Sequence, residues 1–173
     1  GGALTGNYNV AVGRNSLLMA TSASDNVVIG YTAGDAITEE SRIVAIGTGA
    51  LSANDTTNGH SGTASEGSGS VAVGYNALAN LNGMSALRNT AVGYEAMLTP
   101  AAVSIVDNTA LGFRALKSVN NNAGDNNTAI GSGALEANTS GSLNTAIGKG
   151  ALGTRTDGTR NTALGAVTLA NNG

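Results

Sequence analysis

Short apolar segments recur along the chain at nearly even intervals, and polar stretches separate them. Each segment ends on a glycine, and the nine glycines are 17, 17, 27, 19, 19, 19, 17 and 17 residues apart. Val, Ile or Leu always precedes the glycine, Ala precedes that residue in eight copies, and Val or Thr comes one position earlier. Such regular spacing predicts a repeat protein in which each copy is one structural unit. The nine glycines are Gly13, Gly30, Gly47, Gly74, Gly93, Gly112, Gly131, Gly148 and Gly165.

The segment before each glycine is predicted to be a β-strand. In Asn-Thr-Ala-Ile-Gly, Thr and Ile are two residues apart, so they share one face of an extended strand. Branched aliphatic residues favour strands, and the short segment with its glycine argues against a helix. A second short strand is predicted over the Tyr-x-Ala-Leu that follows, after a bend at the glycine.

One strand per 17–19 residues predicts an all-β, parallel β-solenoid of about nine coils stacked at ~4.8 Å. Asn stands four residues before the glycine in seven copies and is expected to form an amide ladder. We expect the Val/Ile column inside and the Ala column outside, where it packs against two sister chains. Two well-matched copies supply the repeat residues Asn127, Ala129, Ile130, Gly131, Leu135, Asn144, Ala146, Ile147, Gly148 and Leu152.

The array is predicted to cover residues 1–173 as a single domain, with one outsize Gly/Ser-rich insertion at 52–69. The chain starts and stops in the middle of the pattern, so we interpret it as a segment of a longer fibre. Net charge is −3 and no basic run is present, so nucleic acid is not expected as a partner. No apolar stretch approaches the ~20 residues that span a bilayer, so membrane contact by this segment is not expected.

The repeated Val-Ala-Ile-Gly, flanked by Asn or Ser, resembles the repeat of trimeric autotransporter adhesin heads of the YadA type. The form Asn-Thr-Ala-Ile-Gly-x-x-Ala-Leu also resembles repeat tracts of bacteriophage tail fibres. The resemblance implies a left-handed β-roll and a homotrimer, either intertwined or side by side. It also implies an extracellular setting on a virion tail or a bacterial surface. The period of this chain departs from the adhesin pattern, and its extra residues lie in the loops.

Residues for catalysis or metal binding are scarce. His60 is the single histidine, cysteine is absent, and no nucleophile and base recur at a defined spacing. We therefore expect no enzyme activity, no metal and no cofactor. His60 lies in the 52–69 stretch, which is interpreted either as a receptor-binding loop or as a tolerated insertion. The Asp-Asn pairs before strands, at Asp25, Asp107 and Asp125, are interpreted as Asx turns rather than calcium ligands.

Tyr75, Tyr94 and Phe113 follow the glycine in three consecutive copies and are expected to stack as an aromatic column. Such a column either contacts a glycan or receptor, together with His60, or packs at a subunit seam. Thr replaces Val in five later copies, which suggests an ice-binding array. We set that hypothesis aside because Thr is expected to lie inside.

The function predicted from the sequence is a structural rod in an extracellular, trimeric attachment fibre that presents a distal region to a host-cell receptor or glycan. The alternative is a carbohydrate- or receptor-binding module that uses the aromatic column and the 52–69 loop. The sequence leaves phage and bacterial origin open.

Overall fold

The computed structural model describes residues 5–52, 69–80, 86–99, 105–119 and 124–170. Over these ranges the chain is all-β, without a helix, and forms a parallel β-solenoid of about seven turns. The predicted fold class is therefore confirmed, although about nine coils were expected. His60 and most of the 52–69 insertion lie outside the described residues, as do residues 171–173 at the end of the array.

The described residues contain eleven short strands, and nine of them coincide with the predicted segments. The strands are β1 (Val10–Val12), β2 (Val27–Ile29), β3 (Val44–Ile46), β4 (Val71–Val73), β5 (Ala86–Leu87), β6 (Thr90–Val92), β7 (Ile105–Val106), β8 (Thr109–Leu111), β9 (Thr128–Ile130), β10 (Thr145–Ile147) and β11 (Thr162–Leu164).

The nine predicted strands form one parallel sheet in the order β1-β2-β3-β4-β6-β8-β9-β10-β11, and β5 pairs with β7. Equivalent residues of the repeat lie side by side: Thr145 pairs with Thr128, and Ile147 pairs with Ile130. The repeat therefore sets the register between coils, as the sequence predicts.

The two strand faces are the reverse of the prediction. From β2 onwards the central residue, which is Ala except at Val28, is buried inside the coil. The Val or Thr before it and the Val, Ile or Leu after it face outwards and stay at least partly exposed. Ala129 and Ala146 are thus core residues, and Ile130 and Ile147 lie on the surface. The coil is narrow, and the branched Val28 fits at the Ala position in the one coil where Gly34 replaces the Leu or Met of the other coils. The fully buried Ala residues of the strands are Ala45, Ala72, Ala91, Ala110, Ala129 and Ala146.

A turn, not the predicted second strand, forms the wall opposite the sheet. It carries a buried Ala and a buried Leu, such as Ala134 and Leu135, whose side chains complete the core. Leu135 has a φ of 52°, a left-handed conformation that costs about 1–2 kcal/mol in a residue with a Cβ. Its amide donates to Ala151 O of the next coil at 3.0 Å, and burial of the side chain offsets the strain.

The glycine between strand and turn is required by its surroundings. Gly131 has a φ of 128°, and a Cβ placed there would lie 2.6 Å from the carbonyl oxygen of Gly148. Only a residue without a side chain allows this bend together with such close stacking of coils.

The predicted Asn ladder is confirmed. The amide of Asn127 donates to Asn108 Oδ1 at 3.2 Å, and Asn144 donates to Asn127 Oδ1 at 3.2 Å. These side chains are buried, and each also bonds a backbone carbonyl, so their polar atoms are satisfied inside the coil. Ile43 and Ser70 hold the equivalent position in two coils and interrupt the ladder.

Candidate functional site

The outward side of the nine-stranded sheet is an extended, mainly apolar surface, which we call the outer face. Eight steps between strands, at ~4.8 Å each, make it about 38 Å long. Within it Ile147 is 37% exposed and Leu111 is 44% exposed. One column of the outer face consists of Val10, Val27, Val44, Val71, Thr90, Thr109, Thr128, Thr145 and Thr162, and the other of Val12, Ile29, Ile46, Val73, Val92, Leu111, Ile130, Ile147 and Leu164.

The Thr column faces outwards, so the reason for setting aside an ice-binding array is wrong. However, Thr fills only five of the eighteen outward positions, and aliphatic side chains fill the others. The face is therefore mainly apolar, which favours burial against another protein surface. Most residues along its two edges are polar, charged or aromatic, for example Arg88 and Tyr94, with the exposed Leu143 as an exception. An apolar centre with a polar rim is typical of a protein–protein interface.

The predicted aromatic column lies along one edge of the outer face. The ring centroids of Tyr75 and Tyr94 are 5.1 Å apart with planes at 14°, and those of Tyr94 and Phe113 are 5.4 Å apart at 12°. All three rings are about half exposed. Because Tyr94 is stacked between two other rings, its edge rather than its faces is open to solvent. The geometry confirms the stack, and its role in glycan or receptor contact remains a prediction.

A charged cluster adjoins the column. Glu95 bonds the Lys117 ammonium at 2.7 Å and the Arg114 guanidinium at 3.0 Å. The hydrogen bond from Lys117, supported by Arg114, lowers the pKa of Glu95. The Glu95 carboxylate in turn raises the pKa of the neighbouring Tyr94 phenol. Arg114 also lies 5.2 Å from the Phe113 ring centroid, a cation–π distance.

A shallow groove of about 340 Å³ begins where the aromatic column ends. The glycines Gly133, Gly150 and Gly153 form much of its surface. The other lining residues are Phe113, Ser132, Glu136, Lys149, Thr154, Val167 and Ala170. A small ligand thus meets an aromatic ring, two hydroxyls, a carboxylate and an ammonium in one place.

This groove was not predicted from the sequence, although a signal for it is present there. Two residues after the repeat glycine, consecutive copies carry Asn76, Glu95 and Arg114, and the next two carry Gly133 and Gly150. The side chains that fill this position are therefore absent in two neighbouring coils. An alignment of the copies emphasises the residues that they share. The groove instead forms where two copies carry glycine in place of a larger residue.

The remaining candidates supply no further site. Asp25 and Asp107 have φ values of 59° and 58°, consistent with turns, and Arg88 lowers the pKa of Asp107 by a side-chain hydrogen bond. Asp125 Oδ1 accepts the amide of Val106 at 2.8 Å. Over the described ranges, no group of three His, Cys, Asp or Glu residues is arranged to hold a metal ion. That part of the chain also lacks a helix with the length and apolarity of a membrane span.

Comparison of the chain with protein-family models, curated proteins and solved structures finds no match.

Proposed function

We propose that the chain is a non-enzymatic rod segment of an extracellular, trimeric attachment fibre, either a phage tail fibre or a bacterial surface adhesin. In this proposal three left-handed solenoids associate through their outer faces, and the assembly holds a distal receptor-binding region away from the virion or cell. The fibre setting and the handedness come from the resemblance of the repeat to known fibre repeats. The observation that carries the proposal is the long apolar outer face.

The stacked coils suit a mechanical role. Each strand of the nine-stranded sheet pairs in register with the strands on both sides, except at the two ends of the sheet. Inside the coils, the buried Asn ladder links the same neighbouring coils. The backbone amides and carbonyls of the described strands therefore bond to the neighbouring coils, which suits a stiff rod.

The surface proposed for assembly differs from the one expected from the sequence. Apart from Ala11 in the first strand, the Ala column is buried within each chain and cannot contact a sister chain. The outer face instead exposes aliphatic side chains along about 38 Å, estimated from the inter-strand spacing. A monomer rarely exposes a continuous apolar surface of this length to water, and two sister chains would cover it.

Light scattering of the purified chain at micromolar concentration tests the assembly. We expect three times the chain mass for the wild type and a folded monomer for the double variant Ile130→Lys/Ile147→Lys, because two ammonium groups on the outer face oppose its burial. Asp157→Lys is the control, since it adds the same two units of positive charge at an exposed position away from the outer face. A wild-type monomer, or a double variant that stays trimeric, would overturn the proposal.

A carbohydrate-binding module remains the second candidate. It is favoured by the half-exposed aromatic stack and by the groove at its end. The stack itself offers few free ring faces, so the groove is the better location for such binding.

A further inference from the structure

The groove beyond Phe113 exists because the repeat omits side chains there. In the preceding coils Glu95 and Arg114 occupy the position that Gly133 and Gly150 hold in the groove. Both glycines have left-handed backbone, with φ of 67° and 65°. Asn76 adopts the same conformation at the equivalent position, with φ of 48°. The fold therefore tolerates a side chain at this position, and the open groove is a local property of two coils.

The lining supplies the contacts that a sugar ring requires. Phe113 lines the groove and is 49% exposed, although Tyr94 and the Arg114 guanidinium also lie against its ring. The exposed part of the ring is the apolar surface against which C–H groups of a sugar pack. Ser132 and Thr154 carry hydroxyls, and Lys149 carries an ammonium with no ion pair among the described residues. Among the described residues, the ion-pair contact of Glu136 with Arg114 is long, at 3.8 Å, so the carboxylate can accept further hydrogen bonds.

We propose that this groove binds one sugar residue of a neutral glycan. The open, shallow form suits one ring of a longer chain, and the volume of about 340 Å³ lies at the lower end of the range for small-ligand sites. The lining carries one carboxylate and one ammonium, on Glu136 and Lys149, so its charges balance, which suits a neutral rather than an anionic sugar. The inference rests on the proposed fibre function only for its biological setting. To that function it adds the chemical class of the receptor, a neutral glycan.

The site differs from the one predicted at the aromatic column. In the column, Tyr94 uses its faces for stacking, whereas Phe113 is the last ring and borders open space. Binding is therefore expected to depend on Phe113 and on the glycines, and to be insensitive to Tyr31, a half-exposed ring on the same edge outside the stack.

A glycan array followed by NMR titration with the best neutral oligosaccharide tests the inference on the whole chain. We expect binding that shifts the amide signals of Gly133, Gly150 and Gly153. Gly150→Asn fills the groove, and its Cβ meets only Val167 Cγ2 at 3.8 Å, an ordinary contact. We expect this variant to weaken binding at least about tenfold. Phe113→Ala is expected to weaken binding similarly, with Tyr31→Ala as the matched control.

Each outcome decides the inference. No neutral glycan bound at millimolar concentration, or binding of acidic glycans only, would overturn it. Unchanged affinity in Gly150→Asn would place the sugar elsewhere and overturn it too, and Lys149→Ala provides the same test if Gly150→Asn does not fold. Light scattering on the same samples reports assembly independently, so a failure of the trimer and a failure of the sugar site are distinguishable.

Discussion

The buried Asn side chains each connect one coil to the coils on both sides. The oxygen of Asn127 accepts the backbone and side-chain amides of Asn144, and its own amide donates to Asn108 and to Gly141 O. Because these groups are out of contact with water, a missing partner costs more than an ordinary hydrogen bond contributes. The sequence predicted this ladder correctly, because an Asn at the same position of seven copies is stacked on its own equivalents once the coils are in register.

Asn127→Ala is therefore expected to lower the free energy of unfolding by about 1–3 kcal/mol, because it leaves the buried amide of Asn144 without its acceptor. Urea unfolding followed by circular dichroism measures the change. Asn161→Ala is the matched control: Asn161 is only partly buried and ends the described ladder, so no further Asn depends on its oxygen. Equal losses in the two variants would contradict the account of the ladder.

Glu95 gives the molecule a predictable response to acid. Its pKa is lowered in the folded chain by Lys117 and Arg114, so it stabilises the fold above its ordinary value of 4.5. This stabilisation is lost as the pH falls through the lowered folded value, where the carboxylate takes up a proton. We expect Glu95→Gln to have a melting temperature that depends less on pH below 4.5. Glu136→Gln, which removes only the 3.8 Å contact to Arg114, should keep the wild-type dependence.

At the scale of the strand and its turn, the sequence predicted the positions of the strands but not the face that is buried. Both faces of Thr128–Ile130 carry apolar residues, so alternation alone does not distinguish inside from outside. The width of the coil decides, because the turn already places Leu135 and Ala134 in the core and leaves room only for Ala129. The width depends on the left-handed turn, and a Leu with positive φ has no signature in a single sequence.

The glycine bend allows a direct test at this scale. In Gly131→Ala, the new Cβ would lie 2.6 Å from the backbone carbonyl oxygen of Gly148, which cannot easily move. The backbone at this position also has a φ of 128°, which a residue with a Cβ rarely adopts. We expect the free energy of unfolding to fall by more than ~1 kcal/mol, because Ala at a positive φ destabilises by more than a compatible replacement stabilises, and a lower urea midpoint measures this loss. Ser132→Ala, one residue further on and exposed, should change stability by less than about 0.5 kcal/mol. A Gly131→Ala variant as stable as Ser132→Ala would show that the coils can move apart.

At the scale of the whole molecule, the repeats predicted the rod, and their differences determine its surface. The outer face is continuous because all nine strands contribute equivalent residues, so its existence follows from the period. The sequence placed the Val/Ile column inside the coil, so it could not predict that the side chains of the outer face are exposed. The groove depends on two glycines, Gly133 and Gly150, that replace larger residues, and a search for shared residues does not detect it.

Because each coil contacts mainly its neighbours, the chain should accept an additional coil. We expect a second copy of residues 127–143, inserted after residue 143, to form one more turn, since its Asn, Ala and Leu would continue each column. The added coil contributes its own core and two interfaces of native register, so the urea midpoint should equal or exceed that of the wild type. A scrambled insert of the same 17 residues can form only a loop, and the entropy of closing that loop should lower the midpoint slightly. Equal midpoints and equal β-sheet signals for the two inserts would mean that register is not carried by these columns.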